Sequence, residues 1–199
     1  LAECVDIAAT DIENMVKFAK DNAIDLVMVA PDDPLVLGMV DAMEKEGIRA
    51  FGPRANAAII EGSKAFSKEL MKKYNIPTAN YEVFTDSTSA IDYIKAQNTF
   101  PTVIKADGLA LGKGVIIAQN LEEAEQAVHE MIDDGKFGKS GSRVVIEEFL
   151  TGPEVSVLAF TDGKTVKPMV SAQDHKRAYD NDEGLNTGGM GTFSTSRLY

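Results

Sequence analysis

The 199-residue sequence holds a single cysteine, Cys4, so neither an internal disulfide nor a cysteine-based metal site can form. Cys4 sits beside a short apolar run, the setting of a buried structural thiol, and redox chemistry is not expected. Only two histidines are present, and His175 lacks the HxxxH or carboxylate spacing of a zinc ligand. No Ser/His/Asp or Cys/His constellation is evident, which argues against a covalent acyl-enzyme. No apolar run approaches the length of a membrane span, and no charged-apolar-small pattern opens the chain. A cytoplasmic protein without membrane contact is therefore expected. Cations are in the minority: the formal net charge is −11, and a polyanion-binding protein draws most of its affinity from neutralising phosphates. Nucleic acid is thus not an expected partner, and any anionic ligand must be small and held by a local cluster of cations. The chain starts at Leu1 and ends at Tyr199 just after a glycine-rich, Ser/Thr-containing stretch, so both ends read as cut from a longer polypeptide.

What the sequence does contain is concentrated in PTVIKADGLALGKGVIIA, Pro101 to Ala118. A β-branched run brings Lys105 to the end of a strand, a glycine-rich loop carries Lys113, and Val115 to Ile117 begins a second strand. Gly108, Gly112 and Gly114 can adopt positive φ and expose backbone N–H groups to an anion while the two lysines neutralise it. Neither a P-loop nor a dinucleotide fingerprint fits, because a strand and not a helix follows the loop. A β-hairpin with a long glycine-rich turn remains the plain alternative.

The first fifty residues alternate strand and helix. Val5–Ala9 reads as a strand; Thr10 to Glu13 has capping-box spacing before a helix that places Ile12, Met15, Val16 and Ala19 on one face. Leu26–Val29 reads as a buried strand, Asp33 and Pro34 as the start of a helix ending near Gly47, and Ile48–Phe51 as another strand. That is a parallel α/β layer. After Pro53 the pattern becomes α+β: helices starting at Pro53 and Ser63, a strand at Tyr81–Phe84, a helix over Ser87–Gln97, the Lys105 and Val115 strands, and a helix over Leu121–Ile132. Strands at Arg143–Phe149, Val155–Thr161 and Thr165–Ser171 follow, the last two joined by an Asp162-Gly163 turn. The expected domains are 1–52 and 53–199.

Three further constellations carry a functional and a plain reading each. Ser63-Lys64 reads locally as an N-cap and a solvated lysine, although a lysine in the first turn opposes the helix dipole unless an anion lies nearby. Glu147 and Glu148 end a strand on opposite sides, so at most one faces a given cleft. They mark either an exposed strand end before Gly152-Pro153, or a place where the backbone of Glu148 to Leu150 pairs with a purine edge and Glu154 accepts from ribose hydroxyls. Gln173-Asp174-His175-Lys176-Arg177 follows a strand and packs three potential cations together. Asn186-Thr187-Gly188-Gly189-Met190-Gly191 offers a second backbone-rich loop, so a convergent anion site is the better reading.

Taken in order, EGSKAF, VIKADGLALGKGV, VVIEEFLTGPE, SAQDHKRAYD and NTGGMG resemble the phosphoribosylamine–glycine ligase family of ATP-grasp enzymes, over essentially the whole chain. The resemblance implies an α/β plus α+β chain, the C-terminal part of a Rossmann-like domain followed by an ATP-grasp domain whose two subdomains clamp ATP. It implies ligation of glycine to 5-phosphoribosylamine through glycyl phosphate, with ATP and Mg²⁺ or Mn²⁺ and a monomer favoured. Lys64, Lys105, Gly108, Gly112, Lys113, Gly114, Glu147, Glu148, Leu150 and Glu154 would hold the nucleotide. Asp174, Lys176 and Arg177 would serve the chemistry. Asp174, His175, Asn186, Thr187, Gly188, Gly189 and Met190 would hold substrate. The family's first glycine loop and its metal-binding Glu-x-Asn segment have no counterpart in this stretch, so no metal ligand is expected within it and the stretch alone is expected to be inactive. The family's Gly-Pro-Glu-x-Pro-Leu loop reads Ala30-Pro31-Asp32-Asp33-Pro34-Leu35 here. A biotin-carboxylase-like subunit, another ATP-grasp ligase and a non-catalytic nucleotide-binding module are the alternatives.

Overall fold

In the computed structural model, residues 2–110 and 114–197 are described. They fall into two compact units, Leu1–Phe149 and Leu150–Tyr199.

The first unit begins with a small α/β layer. Helix α1 (Ile12–Asp21) presents Ile12, Met15, Val16 and Ala19 to a core shared with Val29, Met39, Val40 and Met43. Strands β1 (Val27–Met28) and β2 (Ala50–Phe51) pair in parallel, with α2 (Asp32–Val36) and α3 (Met39–Lys45) between them. Five local expectations change. Cys4 is exposed, not a buried thiol. The Leu26–Val29 strand is not buried throughout: Leu26 and Met28 are exposed and only Val29 joins the core. Val5–Ala9 is not a strand: it folds into turns, Ile7 N–H donating to Val5 O and Asp11 N–H to Ala8 O, and no strand among the described residues pairs with it. The cap of α1 is Asp11 and not Thr10; its carboxylate accepts from the Asn14 backbone N–H at 3.2 Å and the Asn14 amide at 2.7 Å. The helix expected from Asp33 starts at Asp32 and is divided by Gly38, whose φ of +91° no other residue type adopts easily. Gly47 does end α3 in the left-handed region, at φ +74°.

Helix α4 (Ala55–Gly62) leans on this layer, Ala55 N–H donating to Asp41 at 2.8 Å. Helix α5 (Lys64–Lys73) follows at once, capped by the Ser63 hydroxyl on the Phe66 N–H. Strand β3 (Tyr81–Phe84), α6 (Ser87–Gln97), β4 (Thr102–Ala106), β5 (Val115–Ala118), α7 (Leu121–Ile132) and β6 (Val144–Glu148) complete the unit. The strands form one antiparallel sheet in the order β3-β6-β4-β5. Because side chains alternate across a strand, Thr102, Ile104, Ala106, Val144 and Ile146 share one face. Ile104, Ala106, Val144 and Ile146 pack with α6 and α7 into a core that includes Ile91, Ile94, Val128 and Met131. The other face carries Val103, Lys105, Val145 and Glu147.

The second unit is built of strands, with a short 3₁₀ segment at Asp180–Asp182. β7 (Ala159–Thr161) and β8 (Val166–Pro168) form a hairpin whose Asp162 carboxylate accepts from the N–H groups of Lys164 and Thr165, as the Asp162-Gly163 signal predicts. Of the longer run expected from Val155, only a bridge from Ser156 to Ala172 precedes β7. β9 (Ala172–Tyr179) and β10 (Glu183–Ser194) pair antiparallel. Thus Gln173–Arg177 lies within a strand, not after one, and Asn186–Gly191 is not a loop but the irregular middle of β10. There Asn186 faces Arg177 and Gly191 faces His175, so the glycine-rich strand bulges away from a partner that advances only two residues. Gly188, Gly189 and Gly191 allow that bulge, Gly189 at φ +125°. No helix among the described residues is long and apolar enough to cross a membrane.

Candidate functional site

The second face of the four-stranded sheet carries charge among buried side chains: Val103, Val145 and Glu147 are buried there, and beside them only Lys105 reaches solvent. Lys105 stands opposite Val145 in register, one diagonal step from Glu147, and its Nζ lies 3.0 Å from Glu147 Oε2. Lys68 reaches the same oxygen from α5, at 3.1 Å. Lys68 and Glu147 are buried, at 7% and 6% exposure, whereas the Lys105 side chain keeps 27%. Two ammonium groups on one carboxylate leave a net positive charge at the sheet surface.

A second knot fixes the base of the glycine loop against α5. Asp107, immediately after β4, is buried. Its Oδ1 accepts from the Ala65 backbone N–H at 2.7 Å and from the Ser63 hydroxyl at 3.0 Å, satisfying orphan donors at the helix start. Arg143 Nε donates to Asp107 Oδ2 at 3.0 Å. Lys64 N–H donates to Asp107 O, and Lys64 Nζ to Gly108 O, both at 2.9 Å. Lys64 is therefore half-buried and points at the loop, not into solvent. Burial holds its ammonium below the ordinary lysine value; Asp107 and Glu61 pull the other way, and Lys105 adds to the lowering.

The described glycines of the loop serve close approach, not positive φ. Gly108 and Gly114 are absent from the positive-φ positions. A Cβ on Gly108 would lie 2.8 Å from Ser140 Cβ, and one on Gly114 would lie 2.7 Å from Ala110 Cβ. Ser140 belongs to a 3₁₀ turn, Gly138–Gly141, whose hydroxyl donates to Leu109 O at 3.1 Å. Ala106 N–H donates to Gly114 O at 2.8 Å, closing the loop's base. Gly112 and Lys113 lie outside the described residues.

Glu148 turns to the other side of the sheet, where Asn80 Nδ2 donates to it at 2.8 Å. The adjacent glutamates are thus divided as the alternation predicts. Glu148 and Glu147 border a cavity of about 160 Å³ with Asn80, Tyr93, Gln97, Thr99 and Thr102. Leu150, which begins the second unit, is 64% exposed.

Within the second unit, strand alternation splits the expected cation cluster. Lys176 donates to the Glu154 carboxylate and lies 3.5 Å from Asp174, and Glu154 holds the Lys176 ammonium above its usual value. His175 and Arg177 project from the opposite face, where the His175 ring meets Phe193 at 5.7 Å and Arg177 donates to Gly184 O at 2.6 Å. Asp174, Lys176 and Arg177 therefore do not converge as side chains. A depression of about 350 Å³ lies beside His175, Arg177, Tyr179 and Met190. Thr187 spans the bulge, its hydroxyl donating to Lys176 O at 2.8 Å and accepting from Gly189 N–H at 3.0 Å. Of Asn186 only the backbone is described. Among the described residues no group of three His, Cys, Asp or Glu side chains is arranged to hold a metal ion.

Sequence reasoning missed Lys68, Asp107, Arg143 and Ser140. Lys68 had a signal: it stands four residues after Lys64 and so on the same helix face. Arg143 and Ser140 had none, because their roles depend on a contact thirty or more residues away.

Comparison with known proteins agrees along the whole chain. The family described as Phosphoribosylglycinamide synthetase, N domain, matches residues 1–61, and its ATP-grasp (A) domain matches residues 62–199. The phosphoribosylamine–glycine ligase of Halalkalibacterium halodurans is 55% identical over 98% of this chain, which spans 45% of that relative. The Haemophilus influenzae ligase is 55% identical over 96% of the chain and 44% of its own length. The chain thus spans less than half the length of these relatives. Among solved structures, the Thermotoga maritima phosphoribosylamine–glycine ligase superposes with a TM-score of 0.70 at 40% identity, covering 76% of this chain and 38% of that one. The biotin carboxylase domain of Hydrogenobacter thermophilus 2-oxoglutarate carboxylase reaches 0.72 at 19% identity, covering 90% and 41%, a likeness of fold.

Proposed function

Because the chain belongs to the phosphoribosylglycinamide synthetase family, matching its N domain and then its ATP-grasp domain, we propose that the protein carrying it joins glycine to 5-phosphoribosylamine with the cleavage of ATP. The observation that carries this reading is the cationic face around Glu147: Lys105 and Lys64 beside a backbone loop too tightly packed for side chains at Gly108 and Gly114.

A carboxylate resists attack by an amine. In the proposed reaction a glycine carboxylate oxygen attacks the γ-phosphorus and ADP leaves. The amine of 5-phosphoribosylamine then attacks the carbonyl carbon of glycyl phosphate, the C–O bond to phosphate breaks, and the nitrogen loses a proton. The protein's part is positioning and charge neutralisation. Lys64 and Lys105 neutralise the ATP phosphates, the Gly108–Gly114 loop with Lys113 covers them, and Glu147 orients Lys105. The backbone around Glu148 and Leu150 holds adenine, and the second carboxylate oxygen of Glu154 takes ribose. Asp174, Lys176 and Arg177 act at the reacting groups, with Asp174 and Lys176 on one face of β9 and Arg177 on the other. His175, Thr187, Gly188, Gly189, Met190 and the backbone of Asn186 hold substrate. Mg²⁺ or Mn²⁺ accompanies ATP in this proposal, but the described residues offer no ligand set for it and no step is assigned to it. The proposal also takes 1–52 and 53–199 as the domains, a monomer as the active form and the cytoplasm as its place.

A biotin-carboxylase-like activity shares the fold, but at 19% identity that likeness extends no further. The test is ADP release by the protein carrying this chain, which should require glycine and 5-phosphoribosylamine together; release driven by bicarbonate instead would replace this reading with a carboxylase.

A further inference from the structure

Lys68 has an acceptor for each of its three donors. Its ammonium has three N–H bonds, and the side chain meets three acceptors: Glu147 Oε2 at 3.1 Å, Thr78 Oγ1 at 2.7 Å and Ala79 O at 3.3 Å. The Tyr81 ring lies 5.5 Å from the same nitrogen, and the side chain is 9% exposed. Lys105, by contrast, has one acceptor among the described residues, Glu147, and three times the side-chain exposure. Both lysines use the same carboxylate oxygen.

This arrangement is unbalanced for a purely structural ion pair. Burying a lysine is costly unless it is paired, and one carboxylate suffices for one ammonium. Here the buried lysine takes a share of the carboxylate that Lys105 would otherwise hold alone. The half-buried Lys64 lies close enough to Lys105 to feel its charge. The positive excess is therefore directed toward the end of Lys105, the part of this group that reaches solvent among the described residues.

We infer that Lys68 is a positioning residue for the phosphate-binding lysine: by sharing Glu147 it keeps Lys105 from closing into a neutral one-to-one pair and leaves N–H groups of Lys105 turned toward an anion. Lys68 itself touches no ligand. The inference rests on the ATP reading above, and its test separates the two.

The probes are ATP and inorganic tripolyphosphate, which has the phosphates without the nucleoside, titrated calorimetrically into the protein carrying this chain. If the wild-type protein binds neither, the ATP reading falls and this inference with it. If it binds both and Lys105→Ala abolishes binding, the phosphate site stands and the variants decide the role of Lys68. Lys68→Met is expected to weaken both probes alike, by about tenfold, since the lost charge is several ångströms from the ligand and partly screened. The Lys68→Met/Glu147→Gln double variant restores the net charge of the wild-type group and is expected to bind both probes more tightly than Lys68→Met, recovering part of the affinity while losing the orientation that Glu147 gives Lys105. Unchanged binding in a folded Lys68→Met chain overturns the inference. So does weak binding that the second substitution does not rescue, because a merely structural lysine would give that result. If Lys68→Met does not fold, Thr78→Val removes only the 2.7 Å anchor and keeps every charge. Severalfold weaker tripolyphosphate binding then supports the inference, and unchanged binding overturns it.

Discussion

Lys105 and Glu147 meet on the diagonal between two neighbouring strands, 3.0 Å apart, although neither is the other's register partner: Val145 stands opposite Lys105 and Val103 opposite Glu147. A diagonal pair reaches along the strand as well as across it, so the carboxylate anchors Lys105 from one side, its one acceptor among the described residues. Cross-strand contacts of this kind are modest in energy when exposed. Burial of Glu147 makes this one directional.

Replacing Lys105 with alanine should therefore cost ATP use far more than stability. The expected loss is about 2–4 kcal/mol in transition-state or nucleotide binding energy, the size of one preorganised electrostatic donor. ATP kinetics of the variant check it, and unchanged kinetics would remove the phosphates from this face.

Asp107→Ala should act in the opposite sense, on folding first. The carboxylate caps α5 through Ala65 N–H and Ser63 and pairs with Arg143. Arg143 keeps 41% exposure and can turn to water, so the expected cost is about 2–4 kcal/mol, below that of breaking a fully buried pair. Urea denaturation should show a lower midpoint with an unchanged slope.

Much of this architecture was legible in the chain. Tyr81–Phe84, Ser87–Gln97 and Leu121–Ile132 fall where strand alternation, helix period and caps put them. Lys105 is legible from its place at a strand end, whereas Lys64 beside its cap reads locally as a solvated lysine and gains a role only through the family resemblance. What local grammar missed has a common cause. Strand β9 pairs with β10 through backbone groups, so cations and glycines that read as loops became a bulged ladder. In sequence the loop's glycines are free to adopt positive φ, whereas the described ones, Gly108 and Gly114, answer to Ser140 and Ala110, neighbours that only the folded chain brings close.

Gly108→Ala should accordingly destabilise by about 1–3 kcal/mol through overpacking against Ser140, not through backbone strain. Ser140→Gly in the same chain should return most of it. Thermal unfolding of the single and double variants measures this; an uncorrected loss would point back to the backbone.

The pH dependence of nucleotide binding should carry the mark of Lys64. Its folded pKa is depressed below the ordinary 10.5 chiefly by burial, so the cost of burying the charge is present at low pH. That cost is relieved as pH rises through the depressed value. Lys64 therefore opposes folding least in the alkaline range, while anion binding falls over that range as its charge is lost. Titrating ATP against pH should show this alkaline decline, and Lys64→Met should bind more weakly at neutral pH and lack the decline.

The most direct test of the account follows oxygen. Glycine labelled with ¹⁸O in its carboxylate, turned over with ATP and 5-phosphoribosylamine by the protein carrying this chain, should deliver one label into inorganic phosphate per turnover and none into ADP. That transfer requires glycyl phosphate. Phosphate free of glycine-derived ¹⁸O at full turnover would contradict the account.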